Sequence, residues 1–157
     1  MDATLVPGAG ARRALLGSLL LPLALTFLVL PANAGKPGSP TPTATITDNG
    51  GCSFTVTYTW SGFSGTGLVA ELAFGYKWTW GANVVFAWER VPNQNGSGGS
   101  VSATFTLTGT PTSHEYFGRG NLFKVAKNDS SLTAVRNASA ASGYLGAQAC
   151  GSTVTVS

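Results

Sequence analysis

From residue 43 onward, apolar and polar residues alternate along the chain with a period of two. The clearest run is Cys52 to Trp60. Cys52, Phe54, Val56, Tyr58 and Trp60 fall on one side, and Ser53, Thr55, Thr57 and Thr59 on the other. Successive side chains of a strand point to opposite faces, so this run predicts a strand with one buried and one wet face. Val101–Leu107 alternates in the same way, and Thr43–Thr47 and Thr153–Val156 are shorter examples. Leu68–Trp80 keeps one parity throughout: Leu68, Ala70, Leu72, Phe74, Tyr76, Trp78 and Trp80 share a face. Val84–Val91 returns after a turn at Gly81–Asn83.

Turn chemistry separates these runs. Asp48-Asn49-Gly50-Gly51, the Gly/Ser stretch Ser61–Gly67, Gly109–Thr112 and Asp129–Ser131 all read as breaks, because Gly supplies positive φ and Asp, Asn and Ser bond their own backbone. Pro92–Ser100 reads as a flexible hairpin loop. Glu115–Gly118 and Leu122–Lys127 read as two strands broken near Gly118–Gly120. Leu132–Arg136 is a further strand, Ala138–Gly143 a loop, and Tyr144–Cys150 a late strand. Seven to nine short strands at regular spacing, with no helical periodicity, predict an all-β domain. The expected architecture is an antiparallel two-sheet sandwich over residues 43–157.

The first 34 residues follow another rule. Arg12 and Arg13 precede an uncharged, mainly apolar run from Ala14 to Leu30, and Ala32-Asn33-Ala34 follows. A basic start, an apolar helix and a small-x-small site form a cleavable secretory signal. The run is at the short end of what spans a bilayer, so a retained membrane anchor is the weaker reading. The expected product is secreted, with no membrane attachment after signal removal. It opens on a Pro-rich lead-in over residues 35–42.

Composition agrees with a folded β domain. Hydrophobic residues make up 43% of the chain and charged residues 10%, which is not the low-hydrophobicity, high-charge signature of disorder. Without the leader, seven basic side chains against five acidic ones leave a net charge of +2. These charges are scattered and form no cluster able to neutralise several phosphates, which argues against nucleic acid as a partner. Cys52 and Cys150 are the two cysteines. In an oxidising compartment they have one intramolecular pairing open to them, and neither lies in a C-x-x-C motif or beside a basic residue. A structural disulfide clipping the two ends of the domain is expected.

The closing Gly151-Ser152-Thr153-Val154-Thr155-Val156-Ser157 resembles the last strand of an immunoglobulin variable domain. With the strand count and spacing, this makes the chain similar in architecture to exported immunoglobulin-like and fibronectin-like sandwiches. It departs from them in two respects. Cys52 and Cys150 lie too near the ends to be the usual inter-sheet pair, and no Trp follows Cys52 by a dozen or so residues. The resemblance implies a fold and not a function.

The residues support three readings. His114, beside Ser113 and Glu115, and the carboxylates Glu71 and Glu89 on expected strands are the raw material for a small secreted hydrolase. No ligand-spaced His, Cys or Asp accompanies His114, and no motif calls for a metal or other cofactor. The aromatic residues Tyr76, Trp78, Trp80 and Trp88 point instead to a non-catalytic binding or structural module. Such rings either pack inside a small sandwich or overhang its end as a flat platform for a glycan or an extracellular protein. An inert spacer domain is the third reading. Asn95, Asn128 and Asn137 each head an N-x-S sequence, the acceptor pattern for N-glycosylation in a eukaryotic secretory pathway.

Overall fold

The computed structural model describes residues 39–78, 81–128 and 130–157. The expected signal and the front of the lead-in lie outside these residues, as do Thr79, Trp80 and Asp129. Ten strands follow one another: β1 (Thr43–Gly50), β2 (Ser53–Ser61), β3 (Leu68–Lys77), β4 (Asn83–Gln94), β5 (Gly98–Thr108), β6 (Thr112–Val125), β7 (Leu132–Ala134), β8 (Ala140–Ala141), β9 (Gln148–Cys150) and β10 (Thr153–Val156). β1, β2, β5 and β10 form one antiparallel sheet in the order β1-β2-β5-β10. β4-β3-β6-β7 form the second, and β8 and β9 also pair with β6. The two sheets pack face to face as a β-sandwich.

The alternation read from the chain is what fills the interior. Phe54, Val56, Tyr58 and Trp60 of β2 and Ala103, Phe105 and Leu107 of β5 meet Leu68, Ala70, Leu72 and Phe74 of β3 and Tyr116 and Leu122 of β6. Phe74 is the hub, with ring centroids 5.4 Å from Phe54, 5.2 Å from Phe105 and 5.4 Å from Tyr116. The wet face of the first sheet is a ladder of hydroxyls. Thr55 bonds Thr104 at 3.0 Å, Thr57 bonds Ser102 at 2.7 Å, and Thr59 bonds Ser100 at 2.9 Å. Cross-strand pairs of this kind hold register.

Three stretches differ from the sequence expectation. Gly118–Gly120 does not break the chain, because β6 runs unbroken for 14 residues. Both glycines face inward, where a side chain on Gly118 would lie 2.8 Å from Val56 and one on Gly120 would overlap the Tyr58 ring. They make room between the sheets rather than turning the backbone. Pro92–Ser100 is a short crossover and not a hairpin, since β4 runs to Gln94 in the second sheet and β5 starts at Gly98 in the first. It is fastened by the Trp60 indole, which donates to the Asn95 carbonyl at 2.8 Å. Within Tyr144–Cys150 only Gln148–Cys150 is strand, and a two-residue β8 lies in the expected loop before it.

Cys52 and Cys150 form the expected disulfide. They are 98 residues apart, with Cα atoms 5.6 Å from each other. Cys52 lies in the turn before β2 and Cys150 ends β9, so the bridge ties one sheet to the other. The lead-in docks as well: Thr41 bonds Ser61 through its backbone amide at 3.1 Å and its hydroxyl at 2.7 Å.

Candidate functional site

The outer face of the second sheet is built like a small grid. Register across β4, β3 and β6 puts Val85, Gly75 and Phe117 in one row. Trp88, Ala73 and Arg119 form the next row, and Arg90, Glu71 and Asn121 the third. The centre of the grid is Ala73. With only a methyl group there, the taller neighbours enclose a hollow of about 170 Å³. Glu71, Val85, Trp88, Arg119 and Asn121 line it, with Gly120 and Ser139 completing the rim.

A β-bulge creates this arrangement. Phe74 pairs with Ala87 but the adjacent Gly75 pairs with Val85, which leaves Phe86 as the extra residue. A bulge shifts the parity of the strand that carries it. Phe86 therefore turns inward, its ring edge-on to Tyr76 at 5.7 Å, while Val85 and Trp88 both turn outward. Trp88 is 55% exposed and Val85 41% exposed, so the wall of the hollow next to β4 is apolar and open to solvent.

The electrostatics of this face are uneven. The Arg90 guanidinium donates to Glu71 at 2.7 Å, and the Lys77 ammonium donates to Glu115 at 2.9 Å. The Glu115 carboxylate raises the pKa of Lys77 above its ordinary value. Both carboxylates that β3 and β6 direct outward are thus neutralised. Arg119 stands across Ala73 from Trp88 and has no ion pair among the described residues. One end of the grid is closed by Tyr144. Its ring meets Phe117 at 5.8 Å and lies under the Lys77 ammonium at 5.4 Å, and its hydroxyl donates to Asn83 at 2.7 Å.

Of the four aromatic residues singled out from the sequence, the three described ones, Tyr76, Trp78 and Trp88, do not form one surface. Trp80 lies outside the described residues. Trp88 is on the outer face, whereas Tyr76 and Trp78 belong to the inner-face parity at the end of β3. There, past the end of the core, the Tyr76 ring lies 4.2 Å from His114 and 6.0 Å from Trp78. Trp78 overhangs the core at 43% exposure, and Tyr76 is half-buried. An open hollow of about 670 Å³ sits beside them, lined by Lys77, Trp78, Ser113, His114, Glu115 and Ala147. The structure disperses the residues considered for hydrolysis. Glu71 pairs with Arg90 on the outer face, and Glu89 lies opposite Leu72 on the other. The His114 imidazole packs among rings and makes no hydrogen bond within the described residues. Among the described residues no group of three His, Cys, Asp or Glu side chains could hold a metal ion.

Sequence reasoning missed Ala73, Arg119 and Asn121. Ala73 was visible as a small residue on the less apolar face of β3. Its three-row neighbourhood depends on pairing with strands 15 and 46 residues away, and the bulge at Phe86 leaves no mark on the chain. No protein-family model, curated protein or solved structure matches the chain, so geometry alone defines the site.

Proposed function

We propose that this is a secreted, non-catalytic binding module whose ligand is a glycan, taken up in the hollow over Ala73. The observation that carries this reading is an open indole face, Trp88, walling a ring-sized depression whose other walls are Glu71, Arg119 and Asn121. A sugar ring presents C–H groups on its faces and hydroxyls at its edge. It therefore needs a flat apolar surface with hydrogen-bond donors and acceptors around it. The rigid strands on three sides pre-set that geometry, which limits the entropy lost on binding. Secretion is supported by the leader pattern and by a disulfide, which the reducing cytosol disfavours.

The test is binding to a glycan array and to insoluble polysaccharides, with thermal melting as the control for folding. Trp88→Ala is expected to weaken binding by roughly tenfold or more at an unchanged melting temperature, as for the loss of a binding hot spot. Ala73→Leu, which fills the hollow without touching the core, is expected to do the same. Binding that survives both changes overturns the site. Loss on Trp78→Ala instead moves the contact to the Tyr76–Trp78–His114 end, where an exposed ring over a wide hollow suits an extracellular protein. A chain that binds nothing is a spacer.

A further inference from the structure

We infer that the ring held over Ala73 is an acidic sugar, a hexuronate whose carboxylate is taken by Arg119. This rests on the glycan reading above and narrows it to a substrate class.

Five ionised side chains stand on the outward positions of β3, β4 and β6: Lys77, Glu115, Arg90, Glu71 and Arg119. Four of them are spent in two ion pairs. Arg119 is left as the uncompensated charge of the hollow. Its guanidinium forms no hydrogen bond, ion pair or ring contact within the described residues, and it lines the depression. Its surroundings hold no carboxylate free to take it up, because the nearest one in the grid, Glu71, is committed to Arg90.

Spacing then selects the ligand. Trp88 and Arg119 sit on strands two apart with Ala73 between them, which sets their backbones about 9.5 Å from each other. A pyranose ring laid against the Trp88 indole reaches across that gap, and its exocyclic carboxylate arrives at the guanidinium. Arg presents a planar fork of donors that matches a carboxylate with two parallel hydrogen bonds, a fit that neither a neutral hydroxymethyl group nor a Lys reproduces. Asn121 and the Glu71 Oε1 that Arg90 leaves open remain for the ring hydroxyls. A nucleic-acid phosphate is disfavoured by the same count, since one unpaired cation cannot hold a polyanion.

The test uses oligogalacturonates and oligoglucuronates as free acids, beside their methyl esters, which keep the ring and lose the charge. Titration calorimetry on the secreted chain is expected to show one free acid binding at least tenfold more tightly than its ester, with the difference shrinking as salt rises. Arg119→Gln is expected to bring acid and ester to equal affinity, and Arg119→Lys to restore only part of the preference. Trp88→Ala is expected to weaken both forms together. Equal binding of acid and ester by the unaltered protein overturns the acidic-sugar inference while leaving the glycan reading intact. Refusal of every uronate together with binding of a neutral glycan does the same. Refusal of charged and neutral glycans alike overturns both.

Discussion

Tyr58 of β2 lies flat against Gly120 of β6, with no room for even a methyl group between them. Gly118 and Val56 repeat the contact one step along, so the two sheets approach tightly along this seam. Adding atoms to a filled core forces side chains off their rotamers or pushes the backbone apart. Gly120→Ala is therefore expected to lower stability by ~1–3 kcal/mol. Urea titration measures it, and an unchanged midpoint would mean that the sheets do not meet there.

The two buried tyrosines predict opposite outcomes. The Tyr58 hydroxyl donates to the Ala138 carbonyl and so holds the segment that enters β8. Tyr58→Phe removes that donor next to a fully buried residue and is expected to cost ~1–2 kcal/mol. The Tyr116 hydroxyl is buried with no partner among the described residues. Tyr116→Phe discards an unsatisfied polar atom and is expected to be neutral or stabilising by ~1 kcal/mol. Paired denaturation curves separate the two, and a loss on Tyr116→Phe would reveal a partner for that oxygen.

Burial raises the pKa of both phenols above the ordinary 10.0, and for Tyr116 the nearby Tyr76 adds to the effect. The unfolded chain releases these protons near the ordinary value, while the folded chain keeps them. Their contribution is complete below about pH 10 and is lost as pH rises beyond it. The denaturation midpoint should fall across that alkaline range, and less steeply in Tyr58→Phe. An identical slope in the variant would remove Tyr58 as the cause.

The disulfide closes a loop of 98 residues. In the chain-entropy account a bridge of that span stabilises by up to ~4–5 kcal/mol. Reduction, or Cys52→Ala with Cys150→Ala, should lower the melting temperature markedly without changing the strand signal in circular dichroism at low temperature. A reduced protein that melts with the native one would show that the unfolded chain gains little freedom when the bridge is cut.

The sandwich was legible because burial on one face forces alternation. Phe54, Val56, Tyr58 and Trp60 are the inner face of β2 in the order read, and Cys52 and Cys150 pair as expected. The continuity of β6 was not legible. A glycine pair looks the same whether it turns the chain or leaves room for Tyr58, and only the opposite sheet decides. The hollow was hidden for a similar reason. Counting by twos puts Phe86 and Trp88 on one face, and a single extra residue in β4 sends them to opposite sides. Arg119 drew no notice because a lone Arg on a strand acquires meaning only when its neighbours prove to be already paired.

The covalent link between Cys52 and Cys150 also decides how the domain would respond to being pulled. A force applied to the flanking segments passes through β1 on one side and β10 on the other, then crosses the sulfur atoms directly. Everything from β2 to β9 hangs as a sheltered loop that carries no tension. Stretching would strip away the two outermost strands of the first sheet and then stop, leaving the face that bears Trp88 and Arg119 unstrained.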